Sequence, residues 1–255
     1  MNVGPRAARA FWNTYWDVLA HYHRFEVRGI ERLDGIGKCL FVGYHGRAVA
    51  HDMILLGRRL EASGGVAPKA IMHKSMRKLP VLKWFVEGLE YPTEDGEEVR
   101  QIFEQGGALM VTPGGSLEGC RSFRERYRVR WGERYGYLRL ALKYKLPIVP
   151  TAGTGVDDTY IGLNDGYAWG KRLGLPMGIT AWAAFGLGGP WPFTLPFPVK
   201  IVCHIGDPID LERDGPVDPN DREALGRLHA RVAGTVQALL DGARGVAAPA
   251  ARASA

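Results

Sequence analysis

His45 lies in the segment Tyr44-His45-Gly46-Arg47-Ala48-Val49-Ala50-His51-Asp52, directly after an apolar stretch and seven positions before a carboxylate. A histidine with a carboxylate is the minimum equipment for taking a proton from a hydroxyl near neutral pH, because the acid fixes the imidazole tautomer and stabilises its cation. On one continuous helix the two would stand about 10 Å apart along the axis, so His45 has to occupy the turn before the helix. His51 adjoins Asp52, but neighbouring helical positions point about 100° apart and pair poorly, which favours His45 as the base.

The second reactive stretch is Thr112-Pro113-Gly114-Gly115-Ser116-Leu117-Glu118-Gly119-Cys120-Arg121-Ser122. The N–H groups of the Pro113–Gly115 loop, joined by the Arg121 guanidinium, suit a phosphate or a developing oxyanion. A serine-hydrolase elbow reads Gly-x-Ser-x-Gly, and Glu118 stands here in place of its last glycine, which argues against a Ser116 nucleophile.

Periodicity supplies the elements that must position these residues. Residues 27–29 and 38–43 read as short strands, the second delivering His45 at its end, and helical spacing resumes from Ala48 to Leu60. A polar residue between a strand and a helix is where open α/β sheets build their sites. Residues 66–73 predict a further strand, 79–89 a short apolar helix and 94–105 an acidic helix ended by Gly106-Gly107. A buried strand over 108–112 then feeds the Gly114-Gly115 turn. Residues 133–145 predict a helix, 147–151 and 200–206 strands, and 220–242 a closing amphipathic helix. This alternation predicts an α/β fold: a single-domain sandwich with a mixed, largely parallel central sheet flanked by helices.

Ahead of that unit, Phe11, Trp12, Tyr15, Trp16 and Leu19 form an aromatic stripe at helical spacing, opposite Arg9, Asn13 and Asp17. Such a stripe suits docking on the core or the headgroup layer of a membrane, with Trp12 and Trp16 as anchors. The division is therefore an N-terminal aromatic amphipathic helix over 1–24, one α/β domain over 25–244 and a disordered, Ala-rich tail over 245–255. Residues 173–198 mix Trp182, Phe185, Trp191, Phe193 and Phe197 with Gly and Pro and carry no charge. They read as an apolar lid, an acyl-chain tunnel wall, a membrane-dipping loop or core packing.

An apolar content of 46% over 255 residues supports one large core. The 33 Lys+Arg against 27 Asp+Glu, a net charge of +6, favours an anionic partner such as phospholipid or a coenzyme. No nucleic acid is expected, since the basic residues are not interleaved with stacking aromatics. Lys69, His73, Lys74, Arg77 and Lys78 read as a solvated basic face. Cys39, Cys120 and Cys203 are scattered, so neither a disulfide framework nor a metal site is encoded. No apolar run approaches the roughly 20 residues of a membrane span and no signal-peptide core is present. The expectation is a cytoplasmic protein, peripheral on the inner face of a membrane; nothing in the sequence specifies an oligomeric state.

On these residues the chain resembles the glycerolipid acyltransferase superfamily, which includes the lysophosphatidic acid and glycerol-3-phosphate acyltransferases, and above all its diacylglycerol-acyltransferase-like branch. The resemblance covers roughly residues 25–242. The family's first block is a histidine followed after four residues by an aspartate; His45 matches it, with Asp52 the nearest acid. Six residues intervene here, and the two extra are either absorbed by a bulged turn ahead of the helix or mark loss of the acid. The Glu-Gly-x-Arg block is matched without a gap by Glu118-Gly119-Cys120-Arg121, and Pro113-Gly114-Gly115 is similar to that branch. Trp131 to Tyr137, Leu146 to Pro150, Phe197 to Lys200 and Gly206 to Ile209 extend the match in order.

The resemblance implies transfer of a fatty acyl group from an acyl thioester, acyl-CoA or acyl-ACP as co-substrate, to a hydroxyl of a glycerolipid or lysophospholipid. It implies no cofactor, no metal and no covalent intermediate. His45 is then the general base and Asp52 its support, Gly114 and Gly115 face the carbonyl oxygen, and Glu118, Gly119 and Arg121 position the acceptor. Where the acceptor is neutral, Arg121 instead serves the fold by pairing with Glu118 or Glu125. The residues alone leave two other classes open: a thioesterase or lipid hydrolase using the same histidine on water, and a non-catalytic membrane-lipid-binding protein.

Overall fold

The structure, a computed structural model, describes residues 5–64, 68–72, 84, 89, 91–92, 96–175 and 180–246. Its centre is set by β2 (Leu40–Gly43), which is buried along its whole length, as a strand covered on both faces must be. The pleat sends successive side chains to opposite sides. Leu40 and Val42 join one apolar cluster with Leu109, Leu138, Ile148 and Val236. Phe41 joins another with Met53, Leu56, Met110 and Val149.

Five further strands complete the main sheet: β1 (Glu26–Arg28), β3 (Lys69–Ala70), β4 (Leu109–Val111), β5 (Ile148–Thr154) and β9 (Val202–Ile205), in the order β1-β9-β5-β2-β4-β3. Strands β5, β2, β4 and β3 run parallel, whereas β9 pairs antiparallel with β5 and carries β1 with it. The sheet is mixed and largely parallel with helices on both faces, as expected. Helix α2 (Arg47–Ala62) covers the Phe41 side. Helices α3 (Glu97–Glu104), α5 (Gly136–Tyr144) and α7 (Arg222–Ala243) cover the other. The register, Gly43 against Thr151 and Val42 against Val111, levels the ends of β2 and β4, with β5 running on to Thr154 in the same direction. Their following loops therefore meet at one edge.

Helix α1 (Pro5–Tyr22) packs on α2, and this splits the aromatic stripe. Trp16 is 1% exposed and sits with Leu19, Ile54 and Leu55 in the core, whereas Phe11, Tyr15 and Val18 face outward. The expected membrane anchor Trp16 is thus a core residue, because the stripe is wider than the face that docks and its centre is taken by α2.

The expectation for 66–73 is corrected, and of the alternatives for 173–198 core packing holds for part of the stretch. The strand over 66–73 contracts to β3, with 65–67 and 73 outside the described residues. The uncharged 173–198 stretch contributes to a second, antiparallel sheet of β6 (Ile161–Gly162), β7 (Ala184–Gly186) and β8 (Gly189–Pro190). Its Trp182 and Ala184 are buried with Cys120 and Tyr160. The helix expected over 79–89, apart from residues 84 and 89, and the tail beyond 246 lie outside the described residues.

Candidate active site

Three strand ends converge on one polar cluster. Strand β2 runs into Tyr44 and His45, β4 into the Pro113-Gly114-Gly115 turn and the short helix α4 (Ser116–Gly119), and β5 into Gly155 and Asp157. His45 is held by its own main chain. Its N–H donates to Glu118 Oε2 (3.0 Å), and its carbonyl accepts from the Arg121 guanidinium (2.6 Å). The imidazole Nδ1 lies 2.8 Å from the Gly46 carbonyl oxygen. A carbonyl only accepts, so Nδ1 carries the proton and Nε2 presents the lone pair. Burial pushes the His45 pKa down to about 4, against the pull of the Gly46 carbonyl. The ring is neutral at pH 7 and able to accept a proton.

Asp52 is fully buried, and neither carboxylate oxygen has a hydrogen-bond partner. It does not hydrogen-bond His45; the Gly46 carbonyl takes that place. Glycines make room for it: a Cβ on Gly153 would come within 2.3 Å of Asp52 Oδ2, and one on Gly46 within 2.7 Å of Oδ1. Between His45 and Asp52 the first turn of α2 is irregular, with Ala50 at a left-handed φ of 54°. His51 packs its ring against Trp16, His23 and Tyr160, and burial lowers its pKa to about 3, with the His23 and His45 charges adding to the effect.

Burial raises the Asp52 pKa to about 7, with the Asp157 charge adding to the effect. Its unfolded value is near 3.8, so the folded protein binds the extra proton between those two values. That stabilising contribution is complete below about pH 4 and is lost as pH rises through about 7. Asp52→Asn cannot ionise and is expected to flatten the decline in melting temperature from pH 4 to 8. A variant whose pH dependence matches the parent's rejects this assignment.

Glu118 and Arg121, expected to position the acceptor, are enclosed by partners from the chain itself. Both are 0% exposed. Glu118 accepts from the N–H groups of His45 and Arg130 (2.6 Å) and from Trp131 Nε1 (3.2 Å), while burial pushes its pKa up to about 7. Arg121 donates to the carbonyls of Glu118, Arg128 (3.1 Å) and His45 and to the Tyr44 hydroxyl. Its ion partner is Asp157 (3.7 Å), not Glu118 or Glu125. Asp157 also accepts from the Tyr44 hydroxyl (2.5 Å) and faces a second buried guanidinium, Arg47 (3.9 Å). Arg47 in turn holds the Arg121 and Ser122 carbonyls.

The glycine turn serves mainly to admit Glu118. A Cβ on Gly114 would fall 2.1 Å from the Glu118 carboxyl carbon. Gly115, at φ 49°, spends its N–H on Thr112 O (3.0 Å), and Gly119 spends its own on Gly115 O (2.9 Å). Pro113 has no N–H, so Gly114 is the member of the Pro113–Gly115 loop left to face an oxyanion. Tyr44, Arg47 and Asp157 were absent from the sequence-derived site; the signal for Asp157 was its place just beyond a buried parallel strand, as for His45.

A profile described as Acyltransferase matches residues 24–153. Among curated proteins the chain is 28% identical over 236 residues to a Bos taurus protein named "DGAT1/2-independent enzyme synthesizing storage lipids", covering 92% of this chain and 64% of that one. The Homo sapiens protein of the same name is also 28% identical over 236 residues, with 92% and 66% covered. An uncharacterised protein of Mycobacterium tuberculosis is 26% identical over 227 residues, with 86% and 61% covered. The chain spans just under two thirds of the length of these relatives. Its fold is similar to that of the 1-acyl-sn-glycerophosphate (LPA) acyltransferase PlsC from Thermotoga maritima, with a TM-score of 0.54 at 16% identity over 96% of this chain and 83% of the other.

Proposed function

Because the chain belongs to the acyltransferase family, we propose that it moves a fatty acyl group from an acyl thioester, on coenzyme A or an acyl carrier protein, to a hydroxyl of a glycerolipid or lysophospholipid. The observation that carries this reading is the His45 tautomer: Nδ1 is tied to the Gly46 carbonyl and Nε2 is left as the base. Nε2 takes the hydroxyl proton as the acceptor oxygen attacks the thioester carbonyl. The C–O bond forms, the C–S bond breaks, and the proton passes to the departing thiolate. No enzyme nucleophile is required. Asp52, wedged against Gly46, supports the imidazolium electrostatically, and Glu118 and Arg121 hold the His45 main chain in place. The Gly114 N–H faces the developing oxyanion. Two relatives are named as enzymes synthesizing storage lipids, which favours a lipid acceptor. Incubation with radiolabelled acyl-CoA and a panel of lysolipids, mono- and diacylglycerols tests the reading. Release of free fatty acid with no acylated lipid in any arm overturns it in favour of a hydrolase.

Such an acceptor resides in a bilayer, and no helix among the described residues is long and apolar enough to cross one. The protein then docks peripherally. The outer face of the second sheet supports this: Ile161 and Phe185 are paired across strands and both exposed, Leu187 bridges Leu195, and Phe193 is 91% exposed. Lys171 and Arg172 end helix α6 (Gly166–Arg172) with positive charge. Phe193→Ser combined with Leu195→Ser is expected to lower sedimentation with anionic vesicles about tenfold. Unchanged sedimentation removes this face from the membrane contact.

A further inference from the structure

A second concavity lies one guanidinium away from the His45 loop. It holds about 360 Å³ and is walled by Arg124, Arg126 and Arg128 on one side and by Arg244, at the end of α7, on the other. Asp241 is the single carboxylate in the wall, and it accepts from Gln237 Nε2 (3.1 Å). Four guanidinium groups against two carboxylates, Asp241 in the wall and Asp158 beside Arg126, leave the cavity net positive.

The walls are built rather than draped. Gln237 Oε1 accepts from the Val129 N–H (2.9 Å) and Nε2 donates to the Tyr127 carbonyl (3.0 Å), bolting this segment to α7. Tyr127 forms the floor with a left-handed φ of 61°, costly for an aromatic residue. Its N–H is held by Asp157 Oδ2 (2.7 Å) and the Tyr44 hydroxyl (2.8 Å), and its own hydroxyl donates to Asp158 (2.7 Å). Strain of this kind persists where surrounding contacts over-determine it, and ligand clamps are such places. Arg244 stacks on the Tyr127 ring at 4.3 Å, and Arg126 is pinned by Asp158 (3.4 Å) and the Phe123 carbonyl (3.2 Å). Arg124 and Arg128 project into solvent. Two fixed and two free guanidinium groups facing one space suit a group with several acceptor oxygens, which the fork of arginine binds in pairs.

We propose that this cavity binds a phosphate ester carried by a substrate, either the phosphates of coenzyme A or the headgroup phosphate of a lysophospholipid. The inference rests on the acyl-transfer reading, and it deepens it. Arg121 donates to both the Arg128 and the His45 carbonyls, so a phosphate seated on Arg128 acts on the same main-chain clamp that carries the base.

The test reads binding without turnover. Coenzyme A is titrated calorimetrically into the full chain and into the Arg124→Gln, Arg128→Gln, Arg244→Gln triple variant. In a second arm both proteins are sedimented with phosphatidylcholine vesicles, with and without lysophosphatidic acid. The expected result is binding by the parent in one arm and weakening of tenfold or more in that arm for the triple variant; the responding arm names the source of the phosphate. No binding by the parent in either arm, or weakening below tenfold in both, overturns the proposal. Should the triple variant melt early, Arg128→Gln alone gives the same readout at threefold or more, because its exposed side chain makes no hydrogen bond or ion pair with the described residues. A protein that lacks acyl transfer yet loses phosphate binding in the variant leaves the cavity assigned and removes the reaction. Full transfer with unaltered binding does the reverse.

Discussion

His45→Ala is expected to lower kcat by roughly 10²- to 10⁴-fold, the usual share of a positioned general base, with melting temperature and circular dichroism unchanged. The fold should survive because the contacts that fix this residue, to Glu118 and from Arg121, are made by its main chain, and alanine retains them. The acid limb set by this residue follows from its depressed pKa. The base form is populated above about pH 4, so the limb set by His45 itself falls as pH drops through 4, below a shallower step near pH 7 where Asp52 takes up its proton. A free imidazole would lose its base form near 6.5. A folded His45→Ala protein that keeps activity within threefold of the parent would falsify the assignment of the base.

The largest effect on stability is expected at Asp157. Arg47 and Arg121 are both fully buried, and Asp157 is the carboxylate within ion-pair distance of each. Breaking a buried pair from one side leaves an uncompensated charge and costs about 3–5 kcal/mol, a large part of the roughly 5–15 kcal/mol that holds a domain together. Here two cations lose their partner at once. Asp157→Ala should therefore unfold at markedly lower urea concentration, and lose activity as the Tyr44 and Tyr127 anchors go with it. Asp157→Asn keeps an acceptor for the Tyr44 hydroxyl and should fall between parent and alanine. A loss under 1 kcal/mol in Asp157→Ala shows that the arginines are satisfied by carbonyls alone.

Much of this arrangement was legible in the sequence because it is local. Alternating apolar runs and helical spacing give β2, α2, β4, α5, β5 and α7, and the parallel order of the central strands follows from helical crossovers. The place of His45 beyond a buried strand is equally local. What escaped depends on distant pairing. The reversed direction of β9 is not written in Val202–Ile205, whose apolar pattern serves either direction. Asp157 reads as an ordinary turn acid until β5 is laid beside β2. Glu118 and Arg121 were read outward, toward a substrate, because charge ordinarily seeks water; the fold encloses them with N–H donors and carbonyls that lie 3 to 76 residues away. Trp16 was grouped with the anchors because its burial depends on Ile54 and Leu55 of another helix, which the spacing along α1 does not show.

The pairing of β9 with both β5 and β1 bears on how the chain can be made. Strand β1 lies near the start of the chain and finds its partner only in residues 202–205, so it has nothing to pair with until most of the polypeptide has left the ribosome. At about 5–20 residues per second, that is a wait on the order of 10 seconds or more. From its own synthesis until β9 follows, β5 presents an unpaired edge to the cell, the kind of edge on which strands of other molecules add. Closure of β9 onto β5 and β1 is a late, long-range event that slows assembly. The same closure ends the period in which the nascent protein is open to aggregation.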